Sequence, residues 1–191
     1  MSGPTLGQIL DRIRALYIEH LDAALTEAMK GPGSRVNVEP VYRTKTGLVA
    51  REGALSLPLR GDLFDGANMV RVDSARRISF EPFEFKWAGS LQVRMEPFFW
   101  DSCPLRLEGP SPAWTPLTDW FDRWFDGEEK RAPAYDGFYG VIHFLADPAP
   151  SGAAFLSSVD FGSAPVEAFE QLLDAVRALG LRKLHIGGGK P

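Results

Sequence analysis

The chain has 191 residues, of which 45% are hydrophobic and 24% charged, with one cysteine and a net charge of −4. That length suits one domain with a self-sufficient core. The acidic balance argues against a dedicated nucleic-acid binder, and the lone Cys103 excludes an internal disulfide or a thiolate metal cluster. No apolar run approaches the ~20 residues that span a bilayer, and Met1 to Gly7 has no basic or apolar signal-peptide region. A cytoplasmic protein without membrane contact is expected. Thirteen Phe and five Trp imply extensive aromatic packing.

Leu6, Ile9, Leu10, Ile13, Leu16, Tyr17, Leu21 and Leu25 recur at helical spacing and predict an amphipathic helix from Leu6 to Met29. Gly31-Pro32-Gly33 should end it. Asp11, Arg12, Arg14, Glu19 and Asp22 form its polar side. The stripe either docks on its own domain, as surface helices ordinarily do, or forms the seam of a homodimer.

From Arg35 to Leu107 the pattern changes to short strands: Arg35–Val38, Val41–Arg43, Leu48–Arg51, Ala54–Leu59 and Met69–Asp73. Pro58 marks an edge, and Leu63-Phe64-Asp65-Gly66 reads as a turn. Next comes a hairpin whose register can be read directly. Phe83, Phe85 and Trp87 face Met95, Val93 and Leu91, while Glu84 lies opposite Arg94. A one-residue slip would set Phe85 against Arg94, so apolar matching and charge select the same pairing. The apolar phase shifts at Pro82, where a bulge or bend is expected.

Thr115-Pro116 should open a helix with Thr115 as N-cap and Leu117, Trp120, Phe121 and Trp124 as its stripe. Strands follow at Phe138–Leu145 and Ala154–Phe161. Ser163-Ala164-Pro165 starts a helix buried through Val166, Phe169, Leu172, Leu173 and Val176; Gly180 stops it, and Leu181–Ile186 returns as a strand. The expected fold is a single α+β domain over residues 1–191. It comprises an N-terminal helix (1–33), a strand-rich region (34–109) and a segment of helix, hairpin and strand-helix-strand (110–191). A twisted, mostly antiparallel sheet carries the central hairpin.

Chemical signals are sparse. Gly187-Gly188-Gly189-Lys190 follows a strand, but Pro191 stands where a phosphate loop needs Ser or Thr. Gly162 to Pro165 offers helix-start amides to an anion, although Ser163 capping its own helix is the simpler reading. Cys103 beside a histidine would make a nucleophile, yet a lone Cys is ordinarily a small buried hydrophobe. His143 shares a strand face with Val141 and Leu145, as a hydrogen-bonded core residue or a cavity liner. No spacing supports a metal site, and no cofactor is expected. Glu81, Glu84, Glu96, Asp101, Asp119, Asp122 and Asp126 fit solvated faces and caps as well as an acid–base pair.

The aromatics Phe98, Phe99, Trp100, Trp120 and Trp124 are the candidate binding residues, either as a partly exposed cluster for a protein partner or as a large core. The expectation is a non-catalytic interaction or regulatory module. The alternative is a small-molecule binder or hydrolase with its pocket near Trp100, Asp101, Cys103 and His143.

Overall fold

A computed structural model describes residues 4–30, 36–45, 47–49, 53–61, 63–64, 68–70, 72 and 76–188. Thr5 starts helix α1 (Leu6–Ala28) with a reciprocal cap: its hydroxyl accepts the Gln8 amide, and the Gln8 side chain accepts the Thr5 amide. Ile9, Leu10, Ile13, Tyr17, Leu21 and Leu25 are buried, so the stripe docks within its own domain. Arg14, expected among the solvated residues, instead reaches across to donate to the carbonyls of Ser163 and Ala164, both at 2.8 Å. The Gly31-Pro32-Gly33 stop lies outside the described residues.

Short strands follow: β1 (Val36–Asn37), β2 (Arg43–Thr44), β3 (Gly47–Leu48), β4 (Leu63–Phe64) and β5 (Asn68–Met69). β1, β4 and β5 make one small antiparallel sheet, and β2 pairs with β3. Leu63-Phe64 is therefore strand rather than turn; Asp65-Gly66 falls outside the described residues. Ala54–Leu59 does not form the predicted strand. Ser56 takes a left-handed φ of +49° there, which breaks extended pairing.

The main sheet contains β6 (Phe83–Trp87), β7 (Leu91–Met95), β8 (Cys103–Glu108), β9 (Phe144–Leu145), β10 (Ala149–Ser151), β11 (Ala154–Asp160) and β12 (Lys183–Ile186). Its order is β10-β11-β8-β12-β7-β6, with β9 also on β11. All these pairs are antiparallel except β12 with β7. The hairpin pairs Phe83 with Met95, Glu84 with Arg94, Phe85 with Val93 and Trp87 with Leu91, the register that the alternation predicts. Pairing starts immediately after Pro82, which has no N–H for a ladder.

One face of this sheet is the core. Leu91, Val93, Met95, Leu105, Leu107, Leu184 and Ile186 are buried there, alternating with polar residues on the opposite face. α3 (Val166–Ala178) lies on the buried face, where Trp87 donates its indole N–H to Asp174 and Phe169 stacks on Phe98. α1 and α2 (Thr115–Phe125) pack against α3. Trp114, not Thr115, is the N-cap of α2, and no side chain caps it.

Only Phe144–Leu145 of the predicted Phe138–Leu145 strand pairs. Before it, the amides of Tyr139, Gly140, Val141 and Ile142 serve Glu39, Ser163 and the Trp124 carbonyl of α2 instead of a ladder, and only His143 donates to Asp160 of β11.

Candidate functional site

Five aromatic residues were the sequence's candidate binding set. Phe98, Trp100, Trp120 and Trp124 are buried, and Phe99 is half-buried beneath the Arg77 guanidinium. Trp100 stacks among Phe161 and Phe169, while Trp120 donates its indole N–H to the Ala168 carbonyl. These rings form the aromatic core. A short helix buries both Trp124 and Phe125 because α2 is covered on more than one side. Trp124 hydrogen-bonds Gln171 of α3, whereas Phe125 stacks on Phe121 under the Arg60 guanidinium.

The reactive candidates are not brought together. Trp100 and Asp101 border a cavity of only about 20 Å³ beneath α1. Cys103 is fully buried in β8, and burial pushes its thiol well above the ordinary range. β11 stands between Cys103 and the strand that follows His143, since Val159 pairs with Cys103 on one side and Leu145 on the other.

His143 instead belongs to a buried polar cluster that sequence reasoning missed. Glu39, 1% exposed, places its carboxylate between His143 and Ser163. His143 Nε2 lies 2.9 Å from Glu39 Oε1, which also accepts the Ser163 amide at 3.0 Å. Glu39 Oε2 accepts the Ser163 hydroxyl at 2.8 Å and the Tyr139 amide at 2.9 Å. The Ser163 hydroxyl in turn accepts the amides of Gly140 and Val141. Asp160 Oδ2 stands 3.7 Å from the other imidazole nitrogen. Below the cluster, buried Arg60 donates to the Glu39 carbonyl at 2.6 Å, to the Phe125 carbonyl at 2.7 Å and to that of Asp126.

Burial alone would push the Glu39 carboxyl up. The hydrogen bond and charge of His143, together with the Ser163 and Tyr139 donors, outweigh it and hold the group below its usual value. Burial likewise opposes a charged imidazole, but Asp160 and Glu39 raise His143 well above its ordinary range. Both shifts favour the charged forms, which makes Glu39 and His143 a buried ion pair. Gly162 makes room for it: a Cβ there would come within 2.6 Å of His143 Nε2 and 2.7 Å of the Val141 carbonyl, at a φ of +48°.

A carboxylate, an imidazole and a hydroxyl in one cluster invite a catalytic reading, but the connectivity opposes it. Ser163 gives its proton to Glu39 rather than to His143, and both Ser163 and His143 are buried. Such a chain cannot activate the hydroxyl against a substrate from solvent. What the cluster does is join Glu39, the α2 terminus, the 139–143 segment and the start of α3. The expected cap does not form, since Ser163 does not cap its helix, and the carboxylate met by the Ser163 amide is the chain's own Glu39. Neither Glu39 nor Arg60 carried a sequence signal, because each is a lone charge among short predicted strands and its partners lie far along the chain.

The opposite sheet face remains uncovered by any described helix. Along one row Arg94, His185, Arg106, Leu156 and Ala149 lie side by side on successive strands. A groove of about 580 Å³ runs over this row, lined by Pro104, Arg106, Asp147, Leu156, Ser158 and His185 among others. Leu156 is 44% exposed at its centre. Arg94 pairs with Glu84 and Glu96, and Arg106 pairs with Glu108. Lys183 has no carboxylate partner among the described residues. At the groove's end Gly187 and Gly188 both adopt left-handed φ, with a Cβ on Gly188 falling on the Glu96 side chain. Those glycines make a close-packed turn, not a phosphate cradle; Gly189, Lys190 and Pro191 lie outside the described residues.

The chain matches no protein-family model, and no curated protein or solved structure shows detectable similarity to it.

Proposed function

We propose that the chain is a non-catalytic interaction or regulatory module that binds a partner protein on the uncovered face of its main sheet. One observation carries this reading: the described helices gather on the other side, leaving a groove with Leu156 exposed beside Arg106 and His185, with Glu96 and Asp147 also in its lining. The face bears Lys86, Arg94, Arg106 and Lys183 against Glu84, Glu96, Glu108 and Asp147, so its charges balance although the whole chain is net negative. An extended segment with one apolar side chain flanked by carboxylates suits it: the apolar group covers Leu156 and the acids meet Arg106 and Lys183.

The probe is a set of extended peptides, each with a central Leu between Asp or Glu residues, titrated into isotope-labelled protein. Amide shifts should concentrate on β8, β11 and β12, and Leu156→Asp with Arg106→Glu should abolish them. Shifts that map elsewhere, or survive that double substitution, would overturn the assignment. A parallel thermal-shift screen against nucleotides, metals and metabolites should be flat, since a ligand at 100 times its dissociation constant adds about 2.7 kcal/mol and is easily seen.

A further inference from the structure

β6 ends the main sheet, and no described strand covers its outer edge. Which of its backbone groups point outward follows from β7. The amides of Gln92 and Glu96 donate to the carbonyls of Arg182 and Ile186 at 3.0 and 2.9 Å, so the even-numbered residues of β7 serve β12. Its odd-numbered residues serve β6, where they meet Phe83, Phe85 and Trp87. By alternation, Glu84 and Lys86 turn their N–H and C=O groups off the edge. Their side chains are exposed, while Phe83, Phe85 and Trp87 are only half-buried although they lie on the core face. The rings of Phe83 and Phe85 stack at 5.8 Å, with Phe80 against Phe83 at 5.9 Å, so a half-buried aromatic row flanks the edge.

We propose that this edge pairs with the same edge of a second copy, antiparallel about a two-fold axis at Phe85, so that one sheet runs through a homodimer. Only pairings of even residue with even residue join the outward groups. Glu84 opposite Glu84 of the second copy sets like charges together at the axis and brings Lys86 to Pro82, which has no N–H. Lys86 opposite Lys86 repels in the same way. Glu84 opposite Lys86 satisfies both charges twice over and lets both residues exchange backbone hydrogen bonds with their partners. It also places Phe85 against Phe85 and Phe83 against Trp87 on the core face.

An edge lysine ordinarily discourages such association; here the favoured register supplies its counter-charge. A second copy fits better than an unrelated strand because the complementarity is already written into one five-residue sequence. One strand pair lies at the small end of specific interfaces, below about 1,200 Å², so the dimer is weak and concentration-dependent.

Sedimentation velocity tests it, with the protein raised to about 1 mM, the weak end of the affinity scale. The unmodified chain should move from monomer to dimer. Glu84→Lys and Lys86→Glu should each stay monomeric, since each sets like charges on both rungs. Mixed in equal amounts, the two variants should dimerise: one chain then presents two cations and the other two anions. A monomeric unmodified chain, variants that dimerise alone, or a mixture that stays monomeric would each overturn the pairing. Should Glu84→Lys unfold for loss of its Arg94 contact, Lys86→Glu alone decides, because the Lys86 side chain has no ion pair among the described residues to lose.

Discussion

Glu39 satisfies four separate groups from one carboxylate: the His143 imidazole, the Ser163 amide and hydroxyl, and the Tyr139 amide. Removing it leaves those buried donors unpaired and the charged imidazole with Asp160 alone. Glu39→Ala is therefore expected to cost about 3–5 kcal/mol, read by urea denaturation; a loss under about 1 kcal/mol would mean that the cluster relaxes without it. The pH dependence has a definite sign. His143 titrates above its ordinary 6.5, so its contribution is complete below that value and is lost as pH rises through its folded pKa. Glu39 titrates below its ordinary 4.5, so its contribution is complete above that value and is lost as pH falls through its folded pKa. Stability from the pair should thus be full between pH 4.5 and 6.5. In His143→Gln the alkaline decline should flatten; an unchanged profile would remove His143 as its source. His143 was legible in the sequence as a hydrogen-bonded core residue, but its partners were not. Glu39 meets His143 across 104 positions and Ser163 across 124, and no local pattern encodes a contact at that range.

At the scale of elements, legibility tracked how local the deciding physics is. The β6–β7 hairpin was readable to the residue because its register depends only on alternation across a tight turn. The α1 stripe was readable for the same reason, whereas its Thr5–Gln8 cap was not read. What failed were boundaries set from elsewhere in the chain. Ser163 looks like a helix cap but is held by Glu39, and Phe138–Ile142 looks like a strand but gives its amides to other partners. The burial of Trp124 together with Phe125 depends on two neighbours of α2 that no helical wheel contains. For the hairpin, a double-mutant cycle reversing Arg94 and Glu84 should show a small coupling that weakens with added salt. Glu96, also in contact with Arg94, should blunt the single Glu84 reversal. Zero coupling at low salt would deny that the cross-strand contact forms in solution.

The whole molecule joins three helices to one face of its main sheet through a continuous core of rings and aliphatic side chains. Cys103 lies fully buried in that core and serves as a built-in reporter of its integrity. Its thiol should resist an aromatic disulfide reagent in native buffer and react at a rate set by global opening, falling in step with stabilising additives. Fast labelling of the folded protein would instead reveal a local opening of β8. The single-domain α+β architecture was legible from the order of elements, whereas the groove was not. A groove depends on which face the helices leave bare, and strand alternation alone does not choose between faces that both carry neighbours.

β12 fills a slot between β7 and β8, strands made some eighty to ninety residues earlier in the chain. Synthesis proceeds from the N-terminus, so both walls of that slot emerge from the ribosome long before the strand that closes it. Until Ile186 is free, the half-made sheet has two facing edges at its centre and must be kept from zipping together or onto a neighbour. The last strand therefore acts as a keystone in time as well as in space.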